Sequence, residues 1–413
     1  MARLIDVDEA LRLIRGHVTP GPVVEMPLGE ALWRTLAVAV ACDAEFPPFD
    51  RSVMDGYAVR AEDVAGAPVT LRVVGQVPAG SSATARLGPG QAMQINTGAP
   101  IPAGADAVVR VEATVADDDT RSVLVKAAVG AGTFITRRGA YAPAGRTALE
   151  AGTLLSPAAV GVAATCGAAR VQVYRQATVG VLSTGDELVE IAQTPSGAEI
   201  RNSNQPMLAA LIRTAHAHAL TLRPARDDRA GLRTSIAEGL ASADMLCITG
   251  GVSMGAFDFV PEILRDAGAV FHVRKMAIKP GRPMIFAVMP DGAPVFALPG
   301  NPASAFVCFE LFVRAALAGL EGRAWRPAYV RATLSGSLQP TRDRRSFIPV
   351  RAHIADDGGV VAETVSWGGS GDPFGIARAN ALVMRPPGSG GVEPGDAVSV
   401  MLLDRLGGAW DRV

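Results

Sequence analysis

Apolar positions recur along this chain in three rhythms, and the changes of rhythm mark its parts. Near the start, Val7, Leu11 and Ile14 share one face of a helical repeat, and Asp6 followed by Glu9 has the spacing of a capping box. From Phe46 to about Gly139 the pattern changes to alternating or β-branched runs between Gly/Pro turns: Val69 to Val77, Ala92 to Thr97, Ala107 to Val115 and Ser122 to Val129. Ser156-Pro157 then reads as an N-cap and first helical residue. From Ala177 to about Leu320, short apolar strands alternate with helical segments: Thr178 to Ser183, a helix from Pro206 to His218, Leu220 to Leu222, a helix from Arg229 to Ala241, Met245 to Ile248, a helix from Phe259 to Ala267, segments around Val273 and Met284, Val295 to Leu298, and a long helix from Ala303. That alternation predicts a doubly wound parallel sheet with its ligand beyond the carboxyl ends of the strands. After a linker at Gly322 to Pro327, the runs Tyr329 to Leu334, Ser346 to Val350, Val360 to Val365, Ala381 to Met384 and Ala397 to Leu402 read as a small all-β domain.

Composition narrows the classes. At 413 residues the chain has room for two to four domains, and its 39 Lys plus Arg against 40 Asp plus Glu leave no basic field for nucleic acid or an acidic membrane. The longest uncharged stretch, Ala151 to Ala169, is broken by Ser156-Pro157. The helix it leaves spans ~15 Å, half a bilayer. Asp6, Asp8 and Glu9 stand where an export signal would be apolar, so the expectation is a soluble, cytoplasmic, enzyme-like protein. Cys42, Cys166, Cys247 and Cys308 are isolated in sequence, with no CxxC pair, and there is no HExxH. The expectation is four single buried thiols and no zinc site.

The chemistry collects in three glycine/proline loops: Thr249-Gly250-Gly251-Val252-Ser253-Met254-Gly255, Lys279-Pro280-Gly281-Arg282-Pro283 and Leu298-Pro299-Gly300-Asn301-Pro302. Each follows an apolar segment (Met245 to Ile248, Val273 to Ile278, Val295 to Leu298), which predicts that all three meet at one sheet edge. Glycine lets backbone N–H groups approach an anion without a Cβ in the way, and Lys279 and Arg282 add positive charge, so the loops suit a phosphate-bearing ligand. Neither GxxxxGK[ST] nor GxGxxG is present. Acids follow the strands: Asp186 and Glu187, Asp227 and Asp228, and Asp258. Carboxylates beside phosphates hold Mg²⁺, although an aspartate before Arg229 also makes a helix N-cap.

These residues carry a resemblance. Phe46-Pro47-Pro48-Phe49-Asp50-Arg51-Ser52-Val53-Met54-Asp55-Gly56-Tyr57-Ala58-Val59-Arg60, Thr97 to Val109, Ser183 to Leu188, Asn202-Ser203-Asn204, Thr249 to Gly255, Ile278 to Pro283 and Leu298 to Pro302 resemble, in order, the motifs of the molybdopterin molybdenumtransferase family, called MoeA in bacteria and the gephyrin E domain in animals.

The resemblance implies a multidomain α/β plus β fold. Its expected parts are a helical/extended linker domain (1–45 with 144–172), a β-rich domain (46–143), a central doubly wound α/β domain of MoaB/Mog type (173–325) and a small C-terminal β-barrel (326–413). It implies a homodimer whose cleft joins the α/β domain of one subunit to the β domain of the other. It also implies insertion of molybdenum from molybdate into adenylylated molybdopterin (molybdopterin-AMP), with Mg²⁺ and release of AMP. The other partners implied are an adenylyltransferase upstream and the molybdoenzymes that receive the product. Carried over by position, Asp55, Glu187, Asp227 and Asp258 are the catalytic acids, with Glu187, Asp227 and Asp258 holding metal. Thr97, Arg138, Gly250, Gly251, Ser253, Lys275, Lys279, Arg282, Pro299, Pro302 and Ser370 contact the ligand.

The chain departs from the family in places. Arg137-Arg138-Gly139-Ala140-Tyr141 replaces a Gly-Glu-Asp run after paired arginines, Ala256 stands where a glutamate is common, and Arg282 replaces a lysine. Tyr141 and Ala256 keep open a second reading, a non-catalytic molybdopterin-binding scaffold; a third, the related adenylyltransferase, shares the Gly-Gly loop but is a single domain, and the extra β domain and the Phe46 to Arg60 block argue against it.

Overall fold

The computed structural model describes residues 3–81, 86–251 and 259–403. Their contacts divide the chain into two compact units, one of residues 25–32 and 38–172, the other of the remainder.

The first unit is built on a six-stranded sheet. Its order is Ala107–Arg110, Gly56–Val59, Gln91–Ile95, Val69–Val77, Ser122–Val125, Thr114–Asp117, antiparallel except where Val69–Val77 runs beside Gln91–Ile95. Period-two alternation gives it two faces. Tyr57, Val59, Leu71, Val109 and Val123 fill one core, and Ala58, Met93, Ile95 and Val108 fill the other. The expected strand from Ala107 to Val115 is two strands, because a 3₁₀ turn at Val111–Ala113 turns the chain between them. Chain enters this sheet after Val40–Ala41, which pairs with Thr147–Leu149, and leaves it toward the helix Pro157–Thr165, capped by the Ser156 hydroxyl.

In the second unit, Asp6 accepts the Glu9 N–H and opens the helix Val7–His17, which is the N-cap half of the capping box, while the Glu9 carboxylate accepts from Arg3 at 2.9 Å. The central sheet has the order His218–Thr221, Thr178–Ser183, Met245–Thr249, Pro294–Leu298, Ile285–Val288, Val270–Val273. The first four strands are parallel, and the last two are added antiparallel. Both faces are covered. Val179, Val181 and Cys247 point toward the helices Asn204–Thr214 and Pro302–Cys308, while Leu182, Leu246 and Ile248 point toward Arg229–Ser242 and Val260–Asp266. This is why these strands read as continuous apolar runs.

The helical stretch Pro302–Leu320 is long and apolar enough to cross a membrane, but 94% of its most apolar 18-residue window is buried, as the core of this unit. A π-helical turn at Phe309–Val313 interrupts it, and there Arg314 pairs with Glu310 through two 2.9 Å bonds, both side chains buried.

The C-terminal strands Tyr329–Leu334, Val360–Thr364, Arg345–Ile354, Ala381–Arg385 and Ala397–Leu402 pair around a closed ring, a five-stranded barrel. A short helix, Pro373–Ala377, which the sequence pattern did not announce, is capped by Asp372. One expectation changes here. The segment before Lys279-Pro280-Gly281 does not end a strand of the α/β sheet: Val270–Val273 is its edge strand, and Ile278–Lys279 pairs with Arg345–Ser346 of the barrel.

Candidate functional site

The loops that follow the two central parallel strands lie side by side. Gly250 (φ 94°) and Gly251 (φ 62°) take left-handed conformations, and a Cβ on Gly250 would sit 2.2 Å from the Thr184 carbonyl oxygen, so only glycine fits. Asn204 ties this loop to its neighbour: its Nδ2 donates to Thr249 Oγ1 at 2.9 Å and to the Gly300 carbonyl at 2.7 Å. Thr249 Oγ1 also donates to the Pro299 carbonyl at 3.3 Å, and Pro302 is the first residue of the next helix. The two prolines thus fix a loop that Thr249 and Asn204 hold in register.

These loops form one wall of a cavity of about 640 Å³ that Glu187 and Asp227 also line. Gly185 (φ 149°) lets the chain fold the Glu187 carboxylate back on it, since a Cβ there would lie 2.4 Å from Glu187 Oε2. Asp227 accepts a 2.7 Å hydrogen bond from the Thr184 hydroxyl. Its neighbour Asp228 accepts the Gly231 N–H at 2.7 Å as helix N-cap, so the two aspartates have separate tasks. Glu187 and Asp227 offer hard oxygen donors that suit Mg²⁺, while no group of three His, Cys, Asp or Glu side chains stands together among the described residues. Ser253, Ala256 and Asp258 lie outside the described residues.

A second cavity, of about 500 Å³, adjoins the first and shares Pro283, Pro299 and Asn301 with it. Lys279 and Arg282 line it, both exposed, together with Arg344 and Trp367, which sequence reasoning missed. The middle loop therefore does meet the other two, but from the barrel side. Ser370 joins them: its Oγ accepts from Asn301 Nδ2 at 3.2 Å, and its carbonyl accepts the Ala303 N–H at 3.1 Å. Lys275 lines neither cavity; it is half-buried, and its carbonyl accepts the Ile5 N–H.

In the other unit, Asp55 Oδ1 accepts the Thr97 N–H at 2.7 Å, so these two positions form one exposed patch. Arg138 is engaged within its own unit: its N–H donates to Asp50 at 2.8 Å and its guanidinium to Glu45, while Arg137 reaches Asp50 at 2.6 Å. The Arg138 N–H and the Arg137 guanidinium hold the Asp50 carboxyl below its ordinary pKa against the opposing effect of burial. Tyr141 is exposed, with the Arg51 guanidinium 5.7 Å from its ring centre. Hydrogen bonds with Thr136 and then Arg51 lower its phenol pKa.

Comparison with known proteins decides the kinship. Residues 5–167 match the MoeA N-terminal region (domain I and II), 180–319 a probable molybdopterin binding domain, and 331–403 the MoeA C-terminal region (domain IV). A molybdopterin molybdenumtransferase from Nostoc is 37% identical over 90% of this chain and 86% of its own length. One from Bacillus subtilis is 35% identical over 98% and 96%. The chain belongs to the molybdopterin molybdenumtransferase family. Members are transferases of molybdenum cofactor biosynthesis. The solved MoeA structure from Pyrococcus horikoshii, 29% identical, superposes over 97% of this chain and all of its own with a TM-score of 0.83. Both cavities draw on the segment matched by the molybdopterin-binding model. Ser370 falls in the C-terminal match, and Asp55, Thr97 and Arg138 fall in the N-terminal one.

Proposed function

We propose that this protein takes adenylylated molybdopterin and molybdate, cleaves the phosphoanhydride, inserts molybdenum into the pterin dithiolene and releases AMP. The observation that carries the reading is the pair of adjoining cavities, one lined by the Glu187 and Asp227 carboxylates, glycine loops and Arg201, the other by the basic side chains of Lys279, Arg282 and Arg344. A ligand joining a nucleotide to a pterin phosphate needs room beside backbone, which Gly250 and Gly251 leave free of Cβ atoms. An oxyanion such as molybdate needs positive charge, which Lys279 and Arg282 supply.

Glu187 and Asp227 are the residues that would hold Mg²⁺, which when bound neutralises charge on the phosphoanhydride. The Thr184 hydroxyl keeps Asp227 turned in one direction for that task. Water adds at phosphorus, the P–O–P bridge breaks, and AMP leaves. The homodimer belongs to the same proposal: by family resemblance, Asp55 and Thr97 of one subunit complete the cleft of the other. The whole-length relatives favour this reading over the adenylyltransferase, whose single domain lacks the N-terminal β region.

The scaffold reading rests on Tyr141, an exposed aromatic where the family carries an acid, and on Ala256, which lies outside the described residues. Supplying adenylylated molybdopterin and Mg²⁺, with and without molybdate, separates the two. An enzyme releases AMP and forms a cofactor that reconstitutes an apo-molybdoenzyme, whereas a scaffold binds the nucleotide-pterin and releases no AMP.

A further inference from the structure

Two of the four cysteines are not isolated in space. Cys42 and Cys166 stand 124 positions apart, yet their Sγ atoms lie 3.2 Å from each other. Their backbones are fixed independently. Cys42 donates to the Arg146 carbonyl at 2.9 Å and accepts from Gly145 at 2.8 Å, while the Cys166 N–H closes the helix Pro157–Thr165 on Val162 at 3.0 Å. The strands of chain beside them are pressed together. Asp43 donates to the Cys166 carbonyl at 3.4 Å, and a Cβ on Gly167 (φ 79°) would lie 2.2 Å from Asp43 Oδ2. The two thiols keep 6% and 5% exposure, whereas Cys247 and Cys308 have none.

We propose that Cys42 and Cys166 form a redox-active dithiol that a small-molecule disulfide such as oxidised glutathione closes into a disulfide. One protein thiolate attacks the reagent, breaking its S–S bond and releasing one glutathione thiol. The second cysteine then attacks the mixed disulfide, the Sγ–Sγ bond forms, and the second glutathione leaves. The protein loses two S–H hydrogens, and the reagent is reduced to two thiols.

The bond would join the chain where it enters the six-stranded sheet to the chain where it leaves, stapling the stem of that region. A closed loop of this length restricts the unfolded chain strongly, so the oxidised form is the more stable one. Burial, followed by the Cys42 and Asp43 neighbours, pushes the Cys166 thiol up to about 11, so Cys166 is protonated at neutral pH and reacts faster in mildly alkaline solution.

The test treats the full-length protein with oxidised glutathione at mildly alkaline pH, followed by non-reducing peptide mapping by mass spectrometry and thermal melting. The expected result is one cross-linked peptide pair containing Cys42 and Cys166, with the loss of two hydrogen atoms, thiols retained at Cys247 and Cys308, and a Tm raised by several degrees and restored by dithiothreitol. In Cys42→Ser the link and the Tm rise are absent. Glutathione left on single cysteines without a cross-link, thiols that react only after denaturation, or an equal Tm rise in Cys42→Ser would each overturn the proposal.

Discussion

The Thr184 hydroxyl donates to Asp227 at 2.7 Å, whereas the adjacent Asp228 spends its carboxylate on the Gly231 N–H at the start of the helix Arg229–Ser242. Two neighbouring aspartates are thus separated by task. Asp227→Asn should lower turnover at least about tenfold with little change in Tm, because the lost charge faces the cavity. Asp228→Ala should remove an N-cap worth ~1 kcal/mol, lowering Tm by roughly 2–4 °C while turnover stays near wild type. Steady-state kinetics and melting curves of the two variants check the division, and reversed phenotypes would contradict it.

Gly185→Ala offers a geometric test of Glu187. The new Cβ would meet Glu187 Oε2 at 2.4 Å on a backbone at φ 149°, so the carboxylate must move. Turnover should fall by about as much as in Glu187→Gln, roughly tenfold or more. A Gly185→Ala enzyme with normal turnover would show that the position of Glu187 is not critical.

Lys279 and Arg282 should act through charge. Either alanine variant should raise the molybdate concentration needed for half-maximal rate by about tenfold, with Tm unchanged and a weaker dependence on ionic strength. Equal losses of stability and affinity would instead assign them to the fold.

Much of this organisation is legible in sequence because local chemistry dictates it. Asp6 with Glu9 and Ser156 with Pro157 mark helix starts, and the apolar runs of the parallel strands report burial on both faces. What sequence leaves hidden depends on partners far along the chain. The middle loop reads like its neighbours, but Ile278–Lys279 finds its partner strand 67 residues later, in the barrel, as the pairing of Ile278 with Arg345 shows. Arg344 and Trp367 enter the site from segments with no motif of their own. Cys42 and Cys166 meet only because the chain leaves the β region beside the place where it entered. The π-turn at Phe309–Val313 leaves no apolar signature, since the residues around it are buried on every side.

The Asp50 cluster predicts a pH dependence. A carboxyl held below its unfolded pKa stabilises the native state above that unfolded value, ~3.9, and the contribution is lost as pH falls through the lower folded value. Asp50→Asn should therefore melt below wild type at neutral pH, and the two curves should converge as the pH drops below about 4. A constant Tm difference across that range would remove the charge from the explanation.

Subunit exchange tests the proposal of a cleft shared between two subunits. If the protein is the proposed homodimer, Asp55→Asn and Glu187→Gln should each lose at least about tenfold in rate, while mixed dimers carry one intact site and recover part of the wild-type rate. No recovery despite demonstrated exchange would confine the site to one chain.

The central claim, hydrolysis of an adenylylated pterin by this carboxylate-lined cavity, is tested most directly by AMP release from bound molybdopterin-AMP in a single turnover. Wild type with molybdate and Mg²⁺ should release AMP and yield active cofactor, and Glu187→Gln should bind the same ligand but release AMP at least about tenfold more slowly. A wild-type protein that binds molybdopterin-AMP and never releases AMP, or a Glu187→Gln variant that releases it at the wild-type rate, would contradict the account.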